Sequence, residues 1–162
     1  MKMGIKDIKS KRQEGFTIIE VMIVLVIAAV ILLMVFLAVP ALQRNSRNTQ
    51  RKNDVANVLA AVSEYSSNNN GQLPSDQTEF DNKVMTNVKL GYYDDSEVHW
   101  NDPGTPLTSG AITNGESDLY LGTGSKCNGN SVDAGGGSSR QFLATFNIES
   151  AGGIDQEQCQ EG

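Results

Sequence analysis

Gly15-Phe16-Thr17-Ile18-Ile19-Glu20-Val21-Met22 places one carboxylate inside an otherwise apolar run, and nineteen uninterrupted apolar residues, Val21 to Val39, follow it. As a helix rising 1.5 Å per residue, such a run measures roughly 28 Å, close to the ~30 Å hydrocarbon core of a bilayer. It can span a membrane. A carboxylate held at the bilayer centre costs about 2.5 to 3.5 kcal/mol, so Glu20 calls for a partner. A secretory signal peptide has an apolar core of about 7 to 15 residues and a small-x-small cleavage site after it. This run is longer, and Pro40-Ala41-Leu42-Gln43 continues it without such a site.

Before the run lies a short basic segment, Lys2, Lys6, Lys9, Lys11 and Arg12 against Asp7 and Glu14, ending in Gly15. Basic leader, Gly15, Phe16, Thr17, a branched pair, Glu20 and an apolar helix ending near a proline together resemble the class III signal of type IV prepilins and pseudopilins. The resemblance implies that a membrane-embedded prepilin peptidase cuts after Gly15 and N-methylates Phe16, where the mature chain would begin. Cutting there frees an α-amino group with an ordinary pKa of about 7.7 to 8.0, mostly charged at neutral pH. Glu20 lies one helical turn away. In the family, this glutamate pairs with the N-terminal amine of a neighbouring subunit and sets the filament register. Two matched charges offset part of the cost that either would carry alone in a low-dielectric bundle. The plainer alternative is that Glu20 sits at the headgroup edge and reaches towards water. Two positions depart from the family pattern: Pro40 falls later in the run than the usual helix proline, and Ala29 stands where glycine is common.

The leader, residues 1–15, and the apolar helix, 16–42, leave a helix continuation over 43–69 and a head over 70–162, enough for one modest core of about 90 to 120 residues. The formal charge of -6 is unevenly spread: from Asp54 onward there are sixteen Asp and Glu against Lys83, Lys89, Lys126 and Arg140. Such a head is not expected to attract nucleic acid by long-range electrostatics. Basic residues scarcely decide orientation, with five in the leader against Arg44, Arg47, Arg51 and Lys52 beyond the span. Cys127 and Cys159 are the only cysteines, an even number suited to a disulfide in an exported domain. The resemblance implies that they are bridged around the C-terminal region, as in many pilins. Free thiols or a metal pair are the other readings.

From Ala41 to about Asn68 no proline or glycine interrupts the chain, and Val55, Val58, Leu59, Val62 and Tyr65 recur at helical spacing. The helix is expected to continue through this stretch and to stop at Asn68-Asn69-Asn70-Gly71, with Gly71 in a left-handed cap and Pro74 beyond. Gln43 to Asn53 is polar on every side, which fits solvent or a neighbouring subunit. The stretch from Arg51 to Pro74 is also similar to the helix exit of many pilins and G-type pseudopilins. Residues 75–118 read as loop with one short helix near Phe80 to Val88. Strands are expected over Asp118 to Gly122 and Arg140 to Glu149, where Phe142, Ala144, Phe146 and Ile148 alternate with Leu143, Thr145 and Asn147. Gly135 to Ser139 would be the loop between them. The expected fold class is α+β, a long N-terminal helix packed on a small antiparallel sheet, as in the pilin fold.

Enzymatic signals are weak. Gly135-Gly136-Gly137 lacks the following Lys-Ser/Thr of a phosphate loop. Thr17, Ser63 and Ser66 have no candidate base, since His99 is the only histidine. Asp94, Asp95, Glu97 and Asp102, beside His99 and Trp100, offer hard oxygen ligands for calcium without a recognisable ligand spacing. A solvated acidic loop is the simpler reading, and no cofactor is expected. The resemblance implies a non-enzymatic subunit held in the cytoplasmic membrane and then polymerised into a helical surface filament with an assembly ATPase and a platform protein. The alternatives are a pseudopilin of a type II secretion or competence machine, and a single-pass membrane protein with an exported ligand- or calcium-binding head.

Overall fold

The computed structural model describes residues 15–108, 118–153 and 155–162, so the basic leader lies outside the described residues. Helix α1 runs over Ile18–Asn68, and the chain divides into two compact units at Pro40.

In the first unit, α1 is apolar on every side rather than along one stripe. Large side chains from Phe16 (88 % exposed) to Val39 (38 %) pack against nothing within the unit. A helix that is apolar all round needs lipid or other apolar surfaces about it. By length and composition it can cross a membrane. Pro40 stands inside α1, where its missing N–H removes one i→i−4 bond.

In the second unit, Val55, Val58, Leu59 and Val62 are buried and Tyr65 is half-buried, as their spacing predicts. The helix ends with Asn70 and Gly71 both at positive φ (57° and 80°), and the Gly71 N–H donates to the Ser66 carbonyl at 2.8 Å. Asn70 therefore takes the left-handed position of a Schellman-type stop, and Gly71 follows it. Past Pro74, α2 (Gln77–Glu79) opens a helical segment that widens to a π turn over Phe80–Val84 and tightens to a 3₁₀ turn over Met85–Asn87. It begins a few residues before the expected Phe80.

Six strands follow: β1 (Val98–Trp100), β2 (Leu119–Thr123), β3 (Lys126–Asn128), β4 (Ser131–Asp133), β5 (Phe142–Glu149) and β6 (Asp155–Glu161). The main sheet has the order β1-β2-β5-β6, antiparallel except for the parallel β1–β2 pair. Long helix and small sheet give the expected α+β architecture, consistent with the pilin fold. Between β2 and β5 the chain forms the separate β3–β4 hairpin, so Gly135 to Ser139 is not the loop of a simple two-strand hairpin.

Phe142, Ala144 and Phe146 of β5 pack with the α1 stripe, Phe80, Trp100, Leu119 and Leu121. The Phe80 and Trp100 rings stack at 5.2 Å, and the indole N–H donates to the Pro74 carbonyl at 3.0 Å. Leu143, on the other face, joins Leu107 and Val132 in a second cluster. A Cβ on Gly122 would lie 2.6 Å from Leu107 Cγ, so only a bare backbone leaves room for this packing.

Candidate processing and assembly site

Thr17 and Glu20 form a reciprocal cap at the start of α1. Glu20 Oε2 accepts from the Thr17 backbone N–H at 2.9 Å and from its hydroxyl at 2.8 Å, while the Glu20 N–H donates to Thr17 Oγ1 at 3.3 Å. This is a capping box, with Thr17 before the first helical residue and the carboxylate at the third. The Thr-x-x-Glu spacing signals it in the sequence, yet the expectation above weighed only assembly and a headgroup-edge position for Glu20. One atom is left over: Oε1 takes no hydrogen bond among the described residues. A carboxylate has about four acceptor sites, so one already capping its own helix can still receive an amine.

Gly15 precedes this cap. A Cβ built on it meets nothing within 4 Å among the described residues.

The polar stretch beyond the span is neither wholly solvated nor left for neighbours, because one of its faces holds the end of β5. The Arg44 guanidinium donates to the Ser150 carbonyl at 2.7 Å, and Arg47 makes a bidentate pair with Glu149 at 2.7 and 2.5 Å. Asn48 donates to the Glu149 carbonyl at 2.8 Å and accepts its N–H at 2.9 Å. Arg51, 4 % exposed, donates to the Asn147 carbonyl at 2.7 Å and to the Tyr92 hydroxyl, with its guanidinium carbon 4.4 Å from the Tyr92 ring centre. The Arg47 hydrogen bonds hold the Glu149 carboxyl below its ordinary pKa. Residues 44, 47, 48 and 51 lie on one helical face at i, i+3, i+4 and i+7, a polar stripe that a search for apolar periodicity passes over.

Asp54, one turn further on, is buried and gathers the N–H groups of Gly91 (2.9 Å), Tyr92 (2.7 Å) and Tyr93 (3.2 Å). Cys127 on β3 is disulfide-bonded to Cys159 on β6, with Cα atoms 5.6 Å apart. Asp94 and Glu97 are taken up in the cap of a 3₁₀ turn, and His99 stacks on Tyr120 with its Nε2 3.4 Å from Asp118. Among the described residues, no group of three or more His, Cys, Asp or Glu could hold a metal ion.

The cap, the exposed glycine and the lipid-length helix coincide with a family match over residues 10–36. This end of the chain matches the prokaryotic N-terminal methylation motif. No curated protein and no solved structure matches the chain. The methylation motif is the type IV pilin class of signal, and it supports processing of this end of the chain by a prepilin peptidase. Together with the apolar helix, the motif is consistent with membrane anchoring.

Proposed function

We propose that the chain is a subunit of a type IV pilus, stored in the membrane, cut after Gly15, methylated at Phe16 and polymerised into a surface filament. The observation that carries this reading is an N-terminal methylation motif opening onto a helix that is apolar on every side and unpacked within its unit. Packing such helices side by side sequesters each CH₂ from water at roughly 0.8 kcal/mol. In the bilayer these side chains are already dry, so removing a subunit from lipid has to be driven. An assembly ATPase working through a platform protein is the partner this requires.

Glu20 chooses the register. In the precursor its carboxylate caps its own helix, and in the polymer its remaining oxygen receives the Phe16 amine of a neighbouring copy. The Arg51 to Pro74 stretch is similar to G-type pseudopilins as well, which supports a short periplasmic fibre as the second reading. Electron microscopy with labelling against the head tests the choice. Long labelled surface filaments are expected. Label confined to the periplasm would favour the pseudopilin, and label restricted to membranes with no fibre would exclude both.

A further inference from the structure

The end of α1 and the helical segment that follows it border a cleft of about 630 Å³. That volume lies within the range of about 300 to 1,000 Å³ usual for small-molecule sites. The cleft exists because α1 lines it with the short side chains of Ala60 and Ala61. Asn57, Asn68 and Asn87 line it as well, and so do Glu64 and Lys89. All five are exposed, and their side chains make no hydrogen bond or ion pair among the described residues. Two further lining groups are fixed in place by one atom, since Glu79 Oε1 accepts from the Tyr65 hydroxyl at 2.8 Å and from Lys83 at 3.1 Å.

The chemistry of these groups narrows the ligand. With Lys83 set against Glu79, Glu64 and Lys89 leave one charge of each sign, so the lining has no net charge and does not select a phosphate or another anion. Exposed charges contribute little by themselves. Three carboxamides dominate instead, and each offers two donors beside an acceptor oxygen. Sugar hydroxyls, which donate and accept at once, match that pattern. Tyr65, pinned through its hydroxyl, adds an aromatic body of the kind on which the C–H face of a pyranose ring rests. An extended peptide would call for a sheet edge to pair with or a groove with pockets for alternate side chains. This cleft is bordered by helical segments and lined by amides.

We infer that the cleft between the end of α1 and the 77–87 segment binds a neutral carbohydrate of one or two pyranose rings. Asn57, Asn68 and Asn87 read its hydroxyls, and Tyr65 carries its apolar face. The site belongs to a single head and goes beyond the filament reading without resting on it.

The test uses the full chain in a detergent without a sugar headgroup. Saturation-transfer NMR with lactose, mannobiose and chitobiose should show contact for at least one of the three. Asn57→Ala with Asn87→Ala removes two hydrogen-bonding side chains and should weaken binding roughly tenfold. Ala60→Trp, which fills the cleft from an exposed helical position, should abolish it, whereas Asn128→Ala on the β3–β4 hairpin should leave it unchanged. No signal from any of the three disaccharides, binding that survives Ala60→Trp, or equal signals from glycine or tetraglycine would overturn the site. Each of these results leaves the filament reading to be judged separately, by microscopy.

Discussion

Glu20 has two functions available to it, and substitution separates them. Gln at the third helical position still serves a capping box, because its amide oxygen accepts the same Thr17 N–H. It carries no charge. Breaking a charge pair in a low-dielectric setting costs on the order of 3 to 5 kcal/mol, so Glu20→Gln is expected to bring filament yield to background while the precursor accumulates normally. Thr17→Ala should cost the helix start only about 1 kcal/mol and leave assembly largely intact. Comparing filament and membrane-bound pools for the two variants checks this, and full yield from Glu20→Gln would assign the residue to capping alone. A second residue-scale expectation concerns Asp54. Truncation to Ala removes the acceptor of three N–H donors, of which the one on Tyr93 is on a buried residue. A buried unsatisfied donor costs about 1 to 3 kcal/mol, so Asp54→Ala should lower stability by about that much, read from unfolding in detergent.

Among the elements, the short helical segment that follows α1 is tied by Glu79. Its carboxylate accepts first from the Ser75 N–H, then from the Tyr65 hydroxyl, Lys83 and the Ser75 hydroxyl, and its pKa falls to about 2. A depressed folded value means that the contribution is complete above the unfolded pKa of about 4.3 and is lost as pH falls from there through about 2. Glu149 acts in the same direction, chiefly through Arg47. NMR titration of the Glu79 carboxyl should find it still ionised at pH 3. A midpoint above 4 would mean that these hydrogen bonds do not persist in solution. Strand β6 depends on a different restraint. Its sequence, Asp155-Gln156-Glu157-Gln158-Cys159-Gln160-Glu161, has almost no apolar side chain to bury, so pairing with β5 and the Cys127 bridge hold it. Reduction opens a loop with a separation of 32 residues. A loop of that size corresponds to roughly 3 to 4 kcal/mol on the chain-entropy argument. Amide exchange after reduction should show β6 losing protection first.

Which elements were legible in the sequence follows from how each is stabilised. The Val55 to Tyr65 stripe and the alternation of Phe142 to Ile148 were readable because each buries a periodic apolar face, and the apolar span because its length and composition alone mark it. Strand β6 was not, since a polar edge strand shows no period, and β1 with three residues is too short for one. The β3–β4 hairpin did leave a sign, Asn128-Gly129 with Gly129 at φ +65°, which the apolar pattern overshadowed. Of the candidate site, the Gly15-Phe16 boundary and Glu20 stood out because polarity changes sharply there. The arginine ladder was hidden, because its partner carboxylate and carbonyls lie about a hundred residues away.

For the whole molecule, the proposed function asks one span to suit two surroundings, lipid first and other copies later. Under that proposal the balance depends on a free amine appearing at Phe16, which would give the second carboxylate oxygen of Glu20 a cation. A Cβ on Gly15 meets nothing within 4 Å among the described residues, so under the proposed function Gly15→Ala should leave the head folded and block maturation, giving an uncut, filament-free precursor in the membrane. Mass spectrometry of the N-terminal peptide from the native protein is the most direct measurement. A peptide beginning at Phe16 and carrying one methyl group is the expected result; an intact Met1, or a first residue beyond Pro40, would contradict a pilin-type subunit outright.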